Sequence, residues 1–342
     1  MSEKEPVILL DPYPRPVDLI FSTTDKARLE KLGHVIWHNG SPAPDNLVEE
    51  HLPNVVAIIG QTPLSRERLG RAPELKFVAN VESNFLPNID YEVCHNRNIH
   101  VVSTAPVFAQ PVAEMALAQA LAAARRTVQA DAAIRSGHES LYGEADNHDS
   151  FLLYGKTLGL LGCGNLGRAL LPLLRPFSDD ILVHDPWLHP HVLRDIGTQP
   201  VSLDDLFIRS KVVFILAATT TNNQAAIGAT QFSGMQKGSV VVLASRAGVV
   251  DFDALLAAAA SGHIRASIDV FPEEPIPLEH PVRKTPNTIL SAHRAGNVPE
   301  IWAGMGEMVV DDLELVLRGL QPQRCQRAVL ETVTQLRSQP IS

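Results

Sequence analysis

Leu158-Gly159-Leu160-Leu161-Gly162-Cys163-Gly164-Asn165-Leu166-Gly167 places the spacing G-x-G-x-x-G between an apolar run and a helix-forming run. Gly162 allows a tight turn, Gly164 lets the backbone approach a ligand, and Gly167 allows a helix to pack closely on the strand. The free N–H groups of the first helical turn, which begins at Asn165 and Leu166, attract an anion such as a pyrophosphate. The stretch therefore predicts the strand, turn and helix that open a dinucleotide-binding unit.

An acid ends the next apolar run. Asp185 stands about 20 residues after the glycines, where such units place a carboxylate on the adenosine ribose. No arginine follows it in residues 184–187, and a carboxylate repels a 2′-phosphate, so NAD is favoured over NADP. Pro172 falls inside the helix predicted over residues 165–174 and predicts a kink there.

Around this loop, apolar runs alternate with helical patterns. Near-continuous apolar character is typical of parallel strands that are covered on both faces. Successive strands joined by right-handed helical crossovers point the same way. A well-capped helix is predicted over residues 251–261, between the fourth and fifth strands. The predicted strands are 157–161, 181–184, 212–216, 240–243, 266–270 and 288–290.

The first hundred residues predict a second parallel α/β unit, with helices over residues 26–32 and 65–69. No glycine-rich loop follows any of its strands, so it is a poor candidate for the nucleotide. Longer helices are predicted over residues 111–126 and 302–318. The predicted strands of this unit are 7–10, 55–59, 77–81 and 99–102.

The length and net charge of the chain limit the number of domains and the kinds of partner that are expected. A chain of 342 residues predicts two domains. The net charge of -9 disfavours binding to nucleic acid or to an anionic membrane. The sequence predicts no signal or transmembrane segment, and a cytoplasmic location is expected. Cys94, Cys163 and Cys325 lack metal spacing, which predicts reduced thiols and no metal site. Residues 127–154 are either an arm that contacts a partner or a plain surface connection.

Three residues with complementary chemistry follow three successive predicted strands: Arg246, Glu274 and His293. A cation, a carboxylate and an imidazole are therefore expected to lie at one edge of one sheet. Ligands of open parallel sheets bind beyond the carboxyl ends of the strands. The spacing therefore predicts an active site at this edge.

At these residues the chain resembles the D-isomer-specific 2-hydroxyacid dehydrogenases, which include phosphoglycerate dehydrogenases and glyoxylate or hydroxypyruvate reductases. The similarity extends over nearly the whole chain. The matching segments are Ala244-Ser245-Arg246-Ala247-Gly248-Val249-Val250-Asp251, Asp269-Val270-Phe271-Pro272-Glu273-Glu274-Pro275 and Ser291-Ala292-His293-Arg294-Ala295-Gly296, together with 72–76, 88–90 and 111–114.

The resemblance implies two Rossmann-like domains, an NAD-binding domain over 106–297 inserted into a discontinuous substrate domain of 1–105 and 298–342. It also implies a homodimer formed mainly through the nucleotide domains. Arg246 then holds the substrate carboxylate and polarises the 2-oxo group, His293 is the acid–base, and Glu274 pairs with His293. Further cofactor contacts are implied for Thr219, Ala244, Asp269 and Gly296.

Two segments depart from the family pattern. The loop over residues 81–87 lacks the glycines that most relatives use to bind the substrate carboxylate, and Ser83, Asn84 and Phe85 are the substrate contacts predicted there. Arg294 replaces an aliphatic or small residue. It is interpreted either as a second cation for a dianionic or phosphorylated substrate, or as a side chain turned to solvent or to Glu300.

These observations predict an NAD-dependent oxidoreductase that interconverts a D-2-hydroxy acid and its 2-oxo acid. Histidine exchanges a proton near neutrality and arginine offers a permanent planar cation, as this reaction requires. Glyoxylate or hydroxypyruvate reduction and 3-phosphoglycerate oxidation are the candidate reactions. The alternative is an NAD(H)-sensing, co-repressor-like binding protein with little turnover. Formate dehydrogenase is disfavoured, because those enzymes carry an amide where Glu274 stands.

Overall fold

A computed structural model describes residues 5–139 and 149–333. The chain divides into two compact units, one of Met1–Phe108 with Val298–Ser342 and one of Ala109–Asn297. The second unit is thus inserted into the first. Residues 140–148 of the predicted arm lie outside the described residues.

In the described part of the first unit, six strands form one sheet in the order β13-β5-β4-β3-β1-β2. Its strands are β1 (Val7–Asp11), β2 (His34–Trp37), β3 (Val55–Gly60), β4 (Phe77–Asn80), β5 (His100–Ser103) and β13 (Gln326–Arg327). Its helices are α1 (Val17–Ile20), α2 (Thr23–Leu32), α3 (Asp45–His51), α4 (Arg66–Gly70), α5 (Tyr91–Asn96), α13 (Pro299–Leu317) and α14 (Leu330–Val333).

The sheet of the first unit is buried on both faces, because its central strands are apolar throughout. Leu10 and Phe77 pack with α13 on one face, and Leu9 and Ile58 pack on the other. The long helix α13 comes very close to α1: a Cβ at Gly306 would lie 1.9 Å from the Ile20 carbonyl oxygen. Only glycine fits at that contact.

The sheet of the first unit is not wholly parallel, contrary to the expectation from sequence. The two-residue strand β13 pairs antiparallel with β5, whereas the other pairs are parallel. Neither β13 nor the edge strand β2 was predicted. Both are short or half-exposed, so they lack the continuous apolar run by which the central strands are recognised.

In the described part of the second unit, seven parallel strands form one sheet in the order β12-β11-β10-β9-β6-β7-β8. Its strands are β6 (Leu158–Leu161), β7 (Ile181–His184), β8 (Gln199–Pro200), β9 (Val212–Ile215), β10 (Ser239–Leu243), β11 (Ile264–Ile268) and β12 (Thr288–Leu290). Its helices are α6 (Ala109–Arg125), α7 (Thr127–Ser136), α8 (Asn165–Leu174), α9 (Pro190–Asp195), α10 (Leu203–Arg209), α11 (Ala229–Gly234) and α12 (Phe252–Ala260).

The predicted α/β class with two predominantly parallel sheets is confirmed. The glycine loop connects β6 to α8 as expected, and α8 continues through Pro172. The strand predicted over residues 266–270 lies two residues earlier, as β11. The second residue of this strand is a buried arginine, Arg265, whose guanidinium donates to Ala123 O at 2.9 Å.

One helical run among the described residues, Ala105–Arg125, is long and apolar enough to cross a membrane by length and composition, with 44% of its most apolar window buried. Its α6 part packs against α8, β10 and β11. A mostly apolar helix lying on a sheet in this way is typical of a globular core. It places Gln119, near the middle of α6, in the interior.

Candidate active site

The glycine loop leaves room for a ligand above its backbone. Gly162 has φ +92°, and a Cβ there would lie 2.9 Å from Ala217 Cα, so the turn sits against the end of β9. A Cβ at Gly167 would lie 2.6 Å from Gly162 O. By contrast, a Cβ at Gly164 would have no atom within 4 Å. The loop is therefore closed underneath and open at Gly164.

Asp185, which follows β7, stabilises this loop through hydrogen bonds. Its Oδ2 accepts a hydrogen bond from Cys163 N at 2.7 Å, and its Oδ1 accepts one from Trp187 N at 2.9 Å. Each carboxylate oxygen has a second lone pair for a ribose hydroxyl. Burial raises the pKa of the Cys163 thiol, which agrees with a small buried residue in the turn.

These residues fit NAD. No side chain caps the N-terminus of α8, so its first N–H groups and dipole suit a pyrophosphate. The open face at Gly164 allows the approach of that pyrophosphate. The half-buried Asp185 has no salt bridge to a cation in the ranges 5–139 and 149–333, and its carboxylate would repel a 2′-phosphate.

His293 and Glu274 form the central pair of the site. His293 Nδ1 lies 2.6 Å from Glu274 Oε2, while Glu274 Oε1 accepts from Phe271 N at 2.9 Å. The two side chains are 46% and 34% exposed. The carboxylate therefore holds one ring nitrogen as an N–H donor and directs Nε2 outward, where a substrate can exchange a proton with it.

The backbone at His293 is left-handed, with φ +48°. Asp269, which follows β11 and is 1% exposed, holds this conformation. Its carbonyl oxygen accepts from His293 N at 2.7 Å. Its carboxylate oxygens accept from Arg294 N and Ala295 N, each at 3.0 Å. Asp269, predicted as a cofactor contact, thus also holds the loop that carries His293.

Arg246 directly follows Ser245 at the end of β10. The Ser245 hydroxyl donates to Ile215 O at 3.1 Å and to Ala217 O at 2.9 Å, which ties the ends of β9 and β10 together. Arg246 Nη1 donates to Ser245 O at 2.7 Å, and this bond orients the half-buried guanidinium. Arg246 therefore lies on the same sheet edge as Glu274 and His293.

The remaining predicted cofactor residues lie at this edge as well. Thr219 is half-buried in the segment after β9, next to Gly248: a Cβ at Gly248 would lie 3.1 Å from Thr219 Cγ2. Ala244 is 5% exposed at the end of β10. Gly296 is half-buried in the loop that follows His293. The strand ends of the second unit thus bring together every residue predicted to bind the cofactor.

The Arg294 side chain, next to His293, is exposed. Its backbone N–H is held by Asp269. Within residues 5–139 and 149–333 the guanidinium makes no salt bridge, and Glu300, the acid weighed as its partner, is not paired with it. A cation therefore stands beside the proposed acid–base without a neutralising carboxylate in the described part of the chain.

The predicted substrate residues Ser83, Asn84 and Phe85 belong to the first unit, in the loop after β4. Ser83 and Asn84 are half-buried. The Phe85 ring is 7% exposed, lies in the core and meets the Tyr91 ring edge-on, with centroids 6.1 Å apart. The bulky Phe85 side chain therefore packs in the core of the first unit.

An ion pair that the sequence did not predict anchors the same loop. Arg15 Nη1 bonds to the buried carboxylate of Glu82 and donates to Val81 O at 3.0 Å. The Arg15 guanidinium stacks 5.5 Å from the Trp302 ring centroid. Glu82 lies inside the glycine-free loop, but nothing in the sequence pairs it with Arg15.

Comparisons with known proteins identify the family of this chain. The sequence model of the family described as D-isomer specific 2-hydroxyacid dehydrogenase, NAD binding domain, matches residues 117–295. The chain is 31% identical over 290 residues to the glyoxylate reductase of Korarchaeum cryptofilum, covering 84% of this chain and 87% of that protein. It is 29% identical to the D-3-phosphoglycerate dehydrogenase of Methanocaldococcus jannaschii, covering 85% of this chain but 55% of that longer protein.

Among solved structures, a phosphoglycerate oxidoreductase from Rhizobium etli is 46% identical, with a TM-score of 0.85 and coverage of 96% of this chain and 100% of that one. The match to the NAD-binding domain includes the glycine loop, Asp185 and the three strand-end residues. The chain belongs to the D-isomer-specific 2-hydroxyacid dehydrogenases, a family of oxidoreductases, and its cofactor is NAD.

Proposed function

We propose that this chain interconverts a D-2-hydroxy acid and its 2-oxo acid, with His293 as acid–base, Glu274 as its partner and Arg246 on the substrate carboxylate. The observation that carries the proposal is the 2.6 Å contact between His293 Nδ1 and Glu274 Oε2, on the sheet edge that also presents Arg246. When bound, the cofactor would supply the hydride as NADH for reduction of the second carbon and would accept it as NAD⁺ in oxidation.

His293 serves both directions of this reaction. In reduction, Nε2–H gives its proton to the substrate's carbonyl oxygen as that oxygen becomes a hydroxyl. In oxidation, neutral Nε2 takes the hydroxyl proton. Glu274 accepts from Nδ1–H throughout, which keeps the ring orientation and stabilises the imidazolium form.

Arg246 supplies the fixed positive charge. A planar guanidinium matches a carboxylate with two parallel hydrogen bonds and keeps its charge at every physiological pH. Its bond to Ser245 O sets the plane of the fork. Binding the carboxylate there also draws electron density from the adjacent 2-oxo group, which favours hydride addition.

For the cofactor, we assign the pyrophosphate to the loop and first turn of α8, and the adenosine ribose to Asp185. Thr219, Ala244, Asp269 and Gly296 are assigned to the rest of the cofactor. In the first unit, Ser83, Asn84 and Phe85 are proposed to contact the substrate, Phe85 through its backbone. The residues assigned to the pyrophosphate are Gly162, Gly164, Asn165, Leu166 and Gly167.

We further propose that the substrate carries a second anionic group, such as a phosphate on its third carbon. The exposed Arg294 beside His293 supports this, as does the 46% identity to a structure described as a phosphoglycerate oxidoreductase. The similarity to glyoxylate reductases supports the smaller monoanions glyoxylate and hydroxypyruvate as alternative substrates.

Turnover is tested by following NADH absorbance with glyoxylate, hydroxypyruvate and 3-phosphohydroxypyruvate. We expect oxidation of NADH with at least one of these acids, and a loss of about a hundredfold or more in kcat for His293→Gln. Tight NADH binding without turnover on any 2-oxo acid would instead favour the sensing protein.

The proposal that the substrate carries a second anionic group is tested with hydroxypyruvate and its 3-phosphate, which differ only in the phosphate. Arg294→Gln is expected to lower kcat/KM about tenfold or more on the phosphorylated acid, with little change on hydroxypyruvate. Lys237→Gln, an exposed residue that precedes β10 at the opposite sheet edge, makes the same charge change as a control. An equal loss on both substrates contradicts the proposal.

The homodimer implied by the resemblance and the cytoplasmic location predicted from the sequence stay predictions. Sedimentation equilibrium of the purified chain measures the first, and fractionation of the source cells measures the second. A monomer at micromolar concentration would contradict the dimer without affecting the proposed chemistry.

A further inference from the structure

The left-handed backbone of His293 needs support from its surroundings. A non-glycine residue with φ +48° is strained by about 1–3 kcal/mol, and such conformations persist only where neighbouring groups fix them. The hydrogen bonds from His293 N, Arg294 N and Ala295 N to Asp269 supply that support. The orientation of the Asp269 carboxylate therefore decides where the imidazole lies.

That carboxylate is itself oriented by a chain of two partly buried hydrogen bonds. The Ser291 hydroxyl donates to Asp269 Oδ1, and Gln119 Nε2 donates to the Ser291 hydroxyl at 2.8 Å. An ionised carboxylate only accepts, so Ser291 must give it its proton and take a hydrogen bond from elsewhere. The Gln119 amide is the donor that completes this chain of hydrogen bonds, and each hydrogen bond polarises the next.

Gln119 is an unusual residue for its place. It is 4% exposed on the otherwise alanine- and leucine-rich helix α6, which packs against β10 and β11. Its Oε1 is buried and has no hydrogen-bond partner in the described residues. A buried amide that is only half satisfied destabilises a core, so its place here calls for a role that an apolar side chain cannot fill.

We propose that Gln119 is a positioning residue for the acid–base, acting through Ser291 and Asp269. This inference rests on the proposed role of His293. The rigid helix α6 fixes the Gln119 amide, the amide fixes the Ser291 hydroxyl, and the hydroxyl fixes the carboxylate that holds the His293 loop. Loss of either donor lets the carboxylate rotate and the imidazole drift from its catalytic position.

Matched variants test the proposal in the full-length enzyme. Ser291→Thr and Ser291→Val have side chains of the same shape and differ only in the hydroxyl. We expect kcat to fall about ten- to hundredfold in S291V and to stay within about threefold of wild type in S291T. Gln119→Met should lower kcat in the same range, with little change in the Kd for NADH or in KM.

Coupling between the two positions distinguishes a chain from two separate sites. If Gln119 acts only through Ser291, the double variant Q119M/S291V should lose no more kcat than S291V alone. The same Thr and Val pair at Ser239, a buried residue in β10 away from this loop, controls for a hydroxyl lost from the same sheet. Melting temperatures of all variants control for loss of folded protein.

Two failures are then distinguishable. If His293→Gln abolishes turnover while S291V and Q119M keep wild-type kcat, the positioning inference is wrong and the proposed acid–base stands. If His293→Gln leaves turnover intact, the proposed function of His293 fails first. Equal losses in S291T and S291V also overturn the inference, because shape rather than the hydroxyl would then decide the effect.

Discussion

Glu274 divides its carboxylate between the acid–base and the backbone: Oε2 contacts His293 Nδ1 at 2.6 Å, and Oε1 accepts from Phe271 N at 2.9 Å. The backbone bond prevents the carboxylate from rotating away from the ring. Two contacts on one side chain thus determine which imidazole nitrogen points away from Glu274. A neutral amide keeps the shape of this group but loses the charge that stabilises an imidazolium.

Glu274→Gln is therefore expected to lower kcat by about a hundredfold or more, because the charged form of the acid–base loses its counter-ion. The measurement is steady-state kinetics with the preferred 2-oxo acid. Glu273→Gln, at the exposed neighbouring acid, removes the same charge and should leave kcat within about twofold. Comparable losses in both variants would show that general charge, and not the pair with His293, matters.

Arg246→Lys is expected to raise KM for the 2-oxo acid and to lower kcat/KM about a hundredfold or more, since lysine keeps the charge but lacks the planar fork. Binding of NADH, followed by its fluorescence, should change little. Arg283→Lys, an exposed arginine whose guanidinium bonds only to backbone carbonyls of Ile276 and Pro277 among the described residues, is the matched control. An unchanged KM in R246K would remove Arg246 from substrate binding.

Gly306→Ala tests the packing of α13 against α1. The new methyl would lie 1.9 Å from Ile20 O, so the helices must separate, and the free energy of unfolding should fall by about 2 kcal/mol or more. Gly70→Ala, where a Cβ meets nothing within 4 Å, should change it by less than about 1 kcal/mol. Urea denaturation of both variants measures the difference.

The thiols are expected to be inert in the folded protein. Cys94 is completely buried, and burial raises its pKa to about 12. Burial also raises the pKa of Cys163 and Cys325. Because only a thiolate reacts quickly, a disulfide reagent should label none of the three at neutral pH until urea unfolds the chain. Rapid labelling of native protein would contradict the buried positions.

His100, on β5, predicts a pH dependence of stability. Burial, assisted by Arg327, lowers its pKa below the ordinary 6.5. The unfolded chain therefore binds this proton more readily, and stability is lost as pH falls below about 6.5. His100→Gln removes this loss. The stability of the variant relative to wild type should therefore rise as the pH is lowered from about 7.5 to about 5.5.

The matched control for this measurement is His95→Gln, which removes an exposed histidine at the end of α5. If both variants show the same dependence on pH, the effect does not come from the half-buried position of His100.

Continuous apolar runs made the longer strands of the second unit predictable, whereas the two-residue edge strand β8 lacks such a run and was not predicted. The run at 240–243 matches β10. The prediction for β11 started two residues too late, because Arg265 interrupts the apolar pattern of that strand. That guanidinium is tolerated inside because the carbonyl oxygens at the end of α6 accept its N–H groups. A pattern of residue types does not show where such acceptors lie.

The positions of the proposed catalytic residues were predictable for a similar reason: Arg246, Glu274 and His293 each follow a recognisable strand. Gln119 was not predictable. A buried glutamine looks the same as a surface one in sequence, and its partner Ser291 lies 172 residues away. The hydrogen-bonded geometry of the site arises only when the fold brings α6 and the end of β12 together.

Asp185 links cofactor preference to loop rigidity. The carboxylate proposed to repel a 2′-phosphate also accepts from Cys163 N, so the group proposed to discriminate between cofactors also stiffens the turn. A neutral substitution intended to admit NADP would loosen the loop at the same time. Redesign toward NADP therefore needs a short acceptor such as serine at position 185 and a new cation nearby. Natural divergence between the two cofactors faces the same double requirement, which would make single-step switches at this position rare.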